Sequence, residues 1–238
     1  MKPTFEKTRT VHTPVPVIDH DKCTFCRKCE EICRFKAIAV IKKTVLTFPE
    51  LCHSCGGCVE ICPEGAITET GRELGVIETG KAGEIRFAHG KIRVGEAMAP
   101  PLINKVRAYR VPERVTIIDA PPGTSCPVIA AMKGTDFVLM VTEPTPFGLH
   151  DLALGVAAVK LLGIPCGLVI NRSDIGTDSV YAYAEEESLP IFMEIPFDRK
   201  IAEIYSRGGL VAEEIPEYKP KFLDLFTRIQ QSAKRIVR

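Results

Sequence analysis

Polar and apolar positions follow two rhythms along the 238-residue chain. From residue 115 onward, short apolar runs alternate with amphipathic stretches. Residues 115–119 (VTIID), 137–141 (FVLMV), 167–170 (GLVI) and 191–195 (IFMEI) read as buried strands, with helices over 148–162, 179–188 and 201–206 between them. That alternation predicts parallel strands joined by right-handed crossovers, an α/β domain. Residues 220–238 read as a closing amphipathic helix, with Phe222, Phe226, Ile229, Ala233 and Ile236 on one stripe. Lys234, Arg235 and Arg238 suit the negative end of its dipole.

The first half is patterned differently. Residues 1–18 are mostly polar and carry Pro14 and Pro16, which predicts a linker. The Gly-rich segment 71–112 holds two short alternating runs, 84–87 (EIRF) and 91–94 (KIRV), which suggest a hairpin followed by a connecting helix. The longest apolar region, 152–170, is divided by Lys160, Gly163, Pro165 and Gly167 into a helix and a strand, so no membrane span is expected. The N-terminus lacks the continuous apolar stretch of a signal peptide, and the expected location is the cytoplasm. An apolar content of 45% with 26% charged residues excludes disorder. A formal net charge of +1 offers no field for steering toward nucleic acid.

The cysteines change the picture most. Of ten, eight fall between Cys23 and Cys62. Cys23, Cys26, Cys29 and Cys33 are spaced x2, x2, x3, and Cys52, Cys55, Cys58 and Cys62 repeat that spacing at an offset of 29 residues. Glu31-Ile32-Cys33 matches Glu60-Ile61-Cys62, and Ala37-Ile38 matches Ala66-Ile67, so one cluster-binding unit is present twice. This is the bacterial ferredoxin spacing, in which the fourth cysteine of each run ligates the other cluster. On that scheme Cys23, Cys26, Cys29 and Cys62 hold one [4Fe-4S] cluster, and Cys52, Cys55, Cys58 and Cys33 the other. Zinc needs two C-x2-C pairs across a longer insert, and disulfides suit an oxidising compartment, so both are weaker readings. Pro63 follows the second run as the pattern expects, whereas Arg34 stands after the first, a departure at one local turn. His53 beside a ligand reads as an exposed loop residue ahead of one that tunes potential, and Cys126 and Cys166 as small buried side chains ahead of transfer or redox cysteines.

Two further motifs bear on nucleotides. Residues 75–81 (GVIETGK) satisfy G-x-x-x-x-G-K, but Ala82 stands where a Ser or Thr should reach Mg2+, and strand-like residues surround it, so a phosphate loop is not expected there. Asp119 ends an apolar run and precedes the rigid turn Pro121-Pro122-Gly123-Thr124-Ser125, as a Walker B element or a turn cap would.

At residues 119–129 (DAPPGTSCPVI), 141–151 (VTEPTPFGLHD), 169–174 (VINRSD) and 195–203 (IPFDRKIAE) the chain resembles the MinD superfamily of P-loop ATPases that carry an inserted ferredoxin domain. With the cysteine module, the likeness covers nearly the whole chain. It implies a partial MinD-like parallel-sheet domain over 113–238 plus a small α+β ferredoxin domain over 19–70. It also implies that Asp119 and Gly123 belong to the Mg2+ and γ-phosphate switch, and that Asn171 and Arg172 lie at the base of a bound Mg-ATP. The family's opening strand and G-K-G-G-T-G-K-T loop have no counterpart in this sequence. The site is therefore expected to be completed by an upstream segment or another chain, or else to be lost in a short form, and hydrolysis by this chain alone is not expected. The function expected is an electron-transfer or redox-regulatory subunit with a redox partner protein; the alternative is an ATP-dependent switch or cluster carrier that works as a homodimer or with a chain supplying the loop.

Overall fold

A computed structural model of the protein describes residues 3–96 and 98–234. The chain divides into two compact units, residues 2–116 and 117–238.

The first unit is built on a long antiparallel sheet. Strand β1 (Thr4–Ile18) pairs with β4 (Ile67–Ala82), and β4 pairs with β5 (Ile85–Ile92), giving the order β1-β4-β5. Residues 4–18 are thus a strand, not the linker their polarity suggested. Thr and Val dominate the run, alternate residues Val11, Thr13 and Val15 are buried, and the prolines sit where no further strand needs their missing N–H. The hairpin also differs from expectation. Residues 85–92 form one strand whose partner is β4, reached through a two-residue turn at Gly83-Glu84 with Gly83 at φ 59°. Helix α3 (Pro100–Arg107) follows β5, and its Leu102 packs with Val11, Leu74 and Ile77.

The false phosphate loop lies inside this sheet. A side chain at Gly75 would stand 2.2 Å from the Lys91 carbonyl oxygen, and one at Gly80 would stand 2.1 Å from that of Thr4. Both glycines answer to close backbone approach rather than to a phosphate.

Between β1 and β4 the chain makes helix α1 (Lys28–Ile32), a hairpin of β2 (Ile38–Ile41) and β3 (Thr44–Thr47), a short 3-10 turn at Pro49–Leu51, and helix α2 (Gly57–Glu60). The 29-residue repeat is visible in the pairing: Ile18 lies opposite Ile67, and Thr47 opposite Ile38.

The second unit holds helix α4 (Cys126–Met132), strand β6 (Val138–Thr142), helix α5 (Pro146–Leu162), strand β7 (Cys166–Asn171), helix α6 (Ser179–Glu186), strand β8 (Ile191–Ile195), and helices α7 (Arg199–Ser206), α8 (Val211–Glu214) and α9 (Tyr218–Lys234). The strands form a parallel sheet in the order β6-β7-β8. Leu168 and Ile170 pack with Leu152, Val156 and Val180 of α5 and α6. Val169, on the opposite face, packs with Ile204 of α7 and with Tyr218 and Leu225 of α9. The strand period of two thus gives helices on both faces. Helix α5 is closed at both ends. The Thr145 hydroxyl accepts from Gly148 N at 3.1 Å, and Gly163 supplies the left-handed stop at φ 65°.

Two expectations fail here. Residues 115–119 form no strand: the run is unpaired coil, with Val115 65% and Ile117 88% exposed. Apolar sequence satisfies only half of what a strand needs, and no neighbouring backbone takes its N–H and C=O groups. On α9 the buried residues are Tyr218 and Leu225, with Ile229 partly buried, whereas Phe222 and Phe226 are exposed. The stripe is therefore rotated from the expected one, because the helix begins at Tyr218 and Tyr218 anchors it. Arg235, Ile236 and Arg238, and the side chain of Lys234, lie outside the described residues.

Candidate metal centres

The two cysteine runs fold into superposable loops. In the first, Phe25 (φ 56°) and Arg27 (φ 64°) adopt the left-handed region; in the second, Ser54 (φ 54°) and Gly56 (φ 73°) do so at the positions 29 residues on. Lys36 (φ 55°) and Gly65 (φ 57°) form a third such pair. Four of these six residues carry a Cβ, so each loop holds a conformation that costs about 1–2 kcal/mol per residue. A strain repeated at equivalent positions marks a backbone shaped around something.

What it is shaped around is sulfur. The backbone N–H of Phe25 donates to Cys23 Sγ at 3.4 Å, and that of Ser54 to Cys52 Sγ at 3.4 Å. Ala37 N–H donates to Cys33 Sγ at 3.3 Å, and Ala66 N–H to Cys62 Sγ at 3.3 Å. Donors aimed at sulfur stabilise thiolate over thiol and draw negative charge from a thiolate-bound centre. The turns after the fourth cysteines also match, with Lys36 N to Cys33 O and Gly65 N to Cys62 O both at 3.3 Å. Arg34 in place of proline therefore leaves the local turn intact.

Cys23, Cys26, Cys29 and Cys62 all line one cavity that opens to solvent. Its inner wall is Ile18, Val40 and Val45. The fourth cysteine of the second run thus lines the same cavity as the first three of the first run. On the other side, the Phe35 ring, two residues past Cys33, stacks on His53 at 3.3 Å between centroids, laying the end of the first run on the Cys52 loop. Gly57, beside Cys58, would bring a side chain to 3.7 Å from both Cys55 Sγ and Ile32 Cδ1, so the helices carrying the two runs pack closely.

Burial pushes the Cys58 thiol up to about 11, and raises that of Cys29 as well, with neighbouring cysteines of the same loop adding to the rise. Cysteines that line one mostly apolar wall can ionise together only if a compensating positive charge is bound among them. The donor set, the cavity and the N–H groups fit an iron-sulfur cluster.

Residues 15–63 match the family model of the 4Fe-4S dicluster domain. That segment takes in β1 from Val15 and every cysteine of the two runs. Over longer stretches the chain is similar to two proteins of Methanocaldococcus jannaschii. It is 29% identical to the uncharacterized protein MJ0579 over 231 residues, 96% of this chain and 77% of that one. It is 28% identical to the uncharacterized protein MJ0578 over 214 residues, covering 89% and 73%. A 65-residue stretch is 32% identical to the NADP-reducing hydrogenase subunit HndD of Solidesulfovibrio fructosivorans, covering 21% of this chain and 11% of that subunit. Among the described residues no helix is long and apolar enough to cross a membrane.

The four residues that the resemblance assigns to a nucleotide fall apart into two groups. Asn171 ends β7 and donates from Nδ2 to Glu143 Oε1 at 3.3 Å, and Arg172 Nε lies 3.5 Å from the same oxygen. Arg172 is left-handed (φ 50°) and stands over the Phe197 ring at 5.8 Å. These residues meet at the carboxyl ends of β6, β7 and β8, the working edge of a parallel sheet. Asp119 and Gly123 lie instead in exposed coil that joins no strand, Gly123 with φ 91°. Sequence reasoning missed Glu143, although its place one residue past an apolar strand is the signal used for Asp119. Cys126 is exposed and Cys166 half-buried, so only the second approaches the small-core reading.

Proposed function

We propose that the chain is a two-cluster iron-sulfur protein that passes electrons to and from a redox partner, acting in the cytoplasm as a carrier or redox-regulatory subunit. When bound, each cluster supplies reversible one-electron storage at low potential. The chain's own residues position it: Cys23, Cys26, Cys29 and Cys62 at one centre, Cys52, Cys55, Cys58 and Cys33 at the other. The observation that carries the reading is the repeated loop, in which left-handed residues and N–H···S bonds recur at a 29-residue offset. Cys26 and Cys55 are exposed, so each centre has one ligand facing solvent, where a partner can approach. The dicluster match and the partial likeness to a hydrogenase subunit support electron transfer.

The ligand crossing gives the test. Cys62→Ser should remove the centre shared with Cys23, Cys26 and Cys29, and Cys33→Ser the other, each leaving about half the iron. If Cys62→Ser and Cys58→Ser instead delete the same EPR signal, the ligands are not crossed and the scheme fails.

A second reading rests on the meeting of Asn171, Arg172 and Glu143 at the carboxyl edge of the parallel sheet. In it, the second unit is of MinD-like ancestry and binds Mg-ATP, with a phosphate loop supplied by a further segment, by another chain or across a homodimer. Asp119 and Gly123 would then take up the Mg2+ and γ-phosphate once the loop arrived, and cluster state would be coupled to nucleotide.

A further inference from the structure

The two centres have equal hydrogen bonds to sulfur but unequal charge around them. The first is backed by Ile18, Val40 and Val45. The second adjoins the long part of the β1–β4 sheet, where the pairing carries on far beyond the point at which the β2–β3 hairpin turns at Lys42 and Lys43. There Thr13 lies opposite Arg72 and its hydroxyl meets that of Ser54 at 2.7 Å. Ser54 is the residue whose N–H donates to Cys52 Sγ. Arg72 is thus one cross-strand neighbour away from the Cys52 loop.

The Arg72 side chain is only 11% exposed. Its Nη1 pairs with Glu96 Oε2 at 2.5 Å, and the Glu96 side chain is fully buried. Nε and Nη2 are buried and meet no hydrogen-bond partner. Unmatched buried donors of a guanidinium are costly unless a negative group compensates them. The Cys52 sulfur and Glu50 both lie within electrostatic reach of the guanidinium, and Glu96 holds it raised above its ordinary pKa, so it is charged at every working pH.

We propose that Arg72, aimed by Glu96, is a positioning residue that raises the reduction potential of the centre held by Cys52, Cys55, Cys58 and Cys33 above that of the other, giving the electron a direction between them. The inference rests on the two-cluster reading. A cation favours the reduced cluster because reduction adds one negative charge, and the effect is strong where water does not screen it. Arg27 and Lys28 also line the first cavity, but both are exposed, so their fields are damped by water and salt. The chain itself adds to the asymmetry: Arg34 follows Cys33, a ligand of the second centre, whereas Glu64 follows close on Cys62, a ligand of the first.

Potentiometric titration followed by EPR decides the matter in cluster-loaded protein. Wild type gives two potentials. Arg72→Met should lower the higher one by enough to change that cluster's reduced fraction about tenfold at fixed poise, about 59 mV for one electron, and leave the lower one in place. Arg72→Lys should fall between. Glu96→Gln, which leaves the guanidinium uncompensated, should move the higher potential the opposite way, and it decides alone if Arg72→Met does not load. Unmoved potentials, or equal shifts at both centres, overturn the proposal. A wild type with fewer than two clusters would instead overturn the two-cluster reading, a separate failure visible in its iron content.

Discussion

Single residues account for most of what shapes the cluster loops. A left-handed Gly56 next to open space and a closely packed Gly80 are both glycine, for different reasons. Gly56→Ala adds only the conformational cost of an L-residue at φ 73°, about 1–2 kcal/mol. Gly80→Ala places a Cβ 2.1 Å from the Thr4 carbonyl oxygen and must separate β1 from β4. In chemical denaturation Gly80→Ala should therefore be the more destabilising of the two, and equal losses would contradict this placement of the sheet glycines. The cysteines were fully legible as a repeat, because metal ligation leaves a spacing that packing cannot blur. The flanking left-handed residues were not, since Phe25, Arg27 and Lys36 have no compositional mark of positive φ.

At the level of elements, legibility depended on whether a strand's partner was near in sequence pattern. Residues 191–195 were read with their observed bounds, and β6 and β7 within one residue at each end, because buried parallel strands are continuous apolar runs. Strand β1 was missed because its exposed face is polar and its partner lies some 60 residues away, and 115–119 was over-read because apolar content does not supply a ladder. Tyr218 rather than Phe222 anchors α9, which periodicity alone could not choose. The ATP-switch reading turns on the carboxyl edge of β6 and β7. Asn171 and Arg172 are already engaged by Glu143, and Asp119 has no strand to hold it, so calorimetry with Mg-ATP on the cluster-loaded chain alone should show no saturable heat. Saturable binding that Asn171→Ala abolishes would favour the ATP-switch reading.

Taken as a whole, the molecule joins a compact unit that carries all eight clustered cysteines to one that carries the parallel sheet, and the two are about equal in length. The candidate chemistry is concentrated in the first, where the N–H···S bonds and the strained loops repeat and the cysteines of one centre line a cavity. The central claim is that each repeat contributes to two cubane sites in one chain. Iron and acid-labile sulfide analysis of anaerobically purified protein, read together with the EPR of the dithionite-reduced state, tests it most directly. The account predicts about eight irons and eight sulfides per chain, four of each per cluster, with a broadened signal from two paramagnets in one small unit. About four irons, a single uncoupled signal, or zinc in place of iron would contradict it.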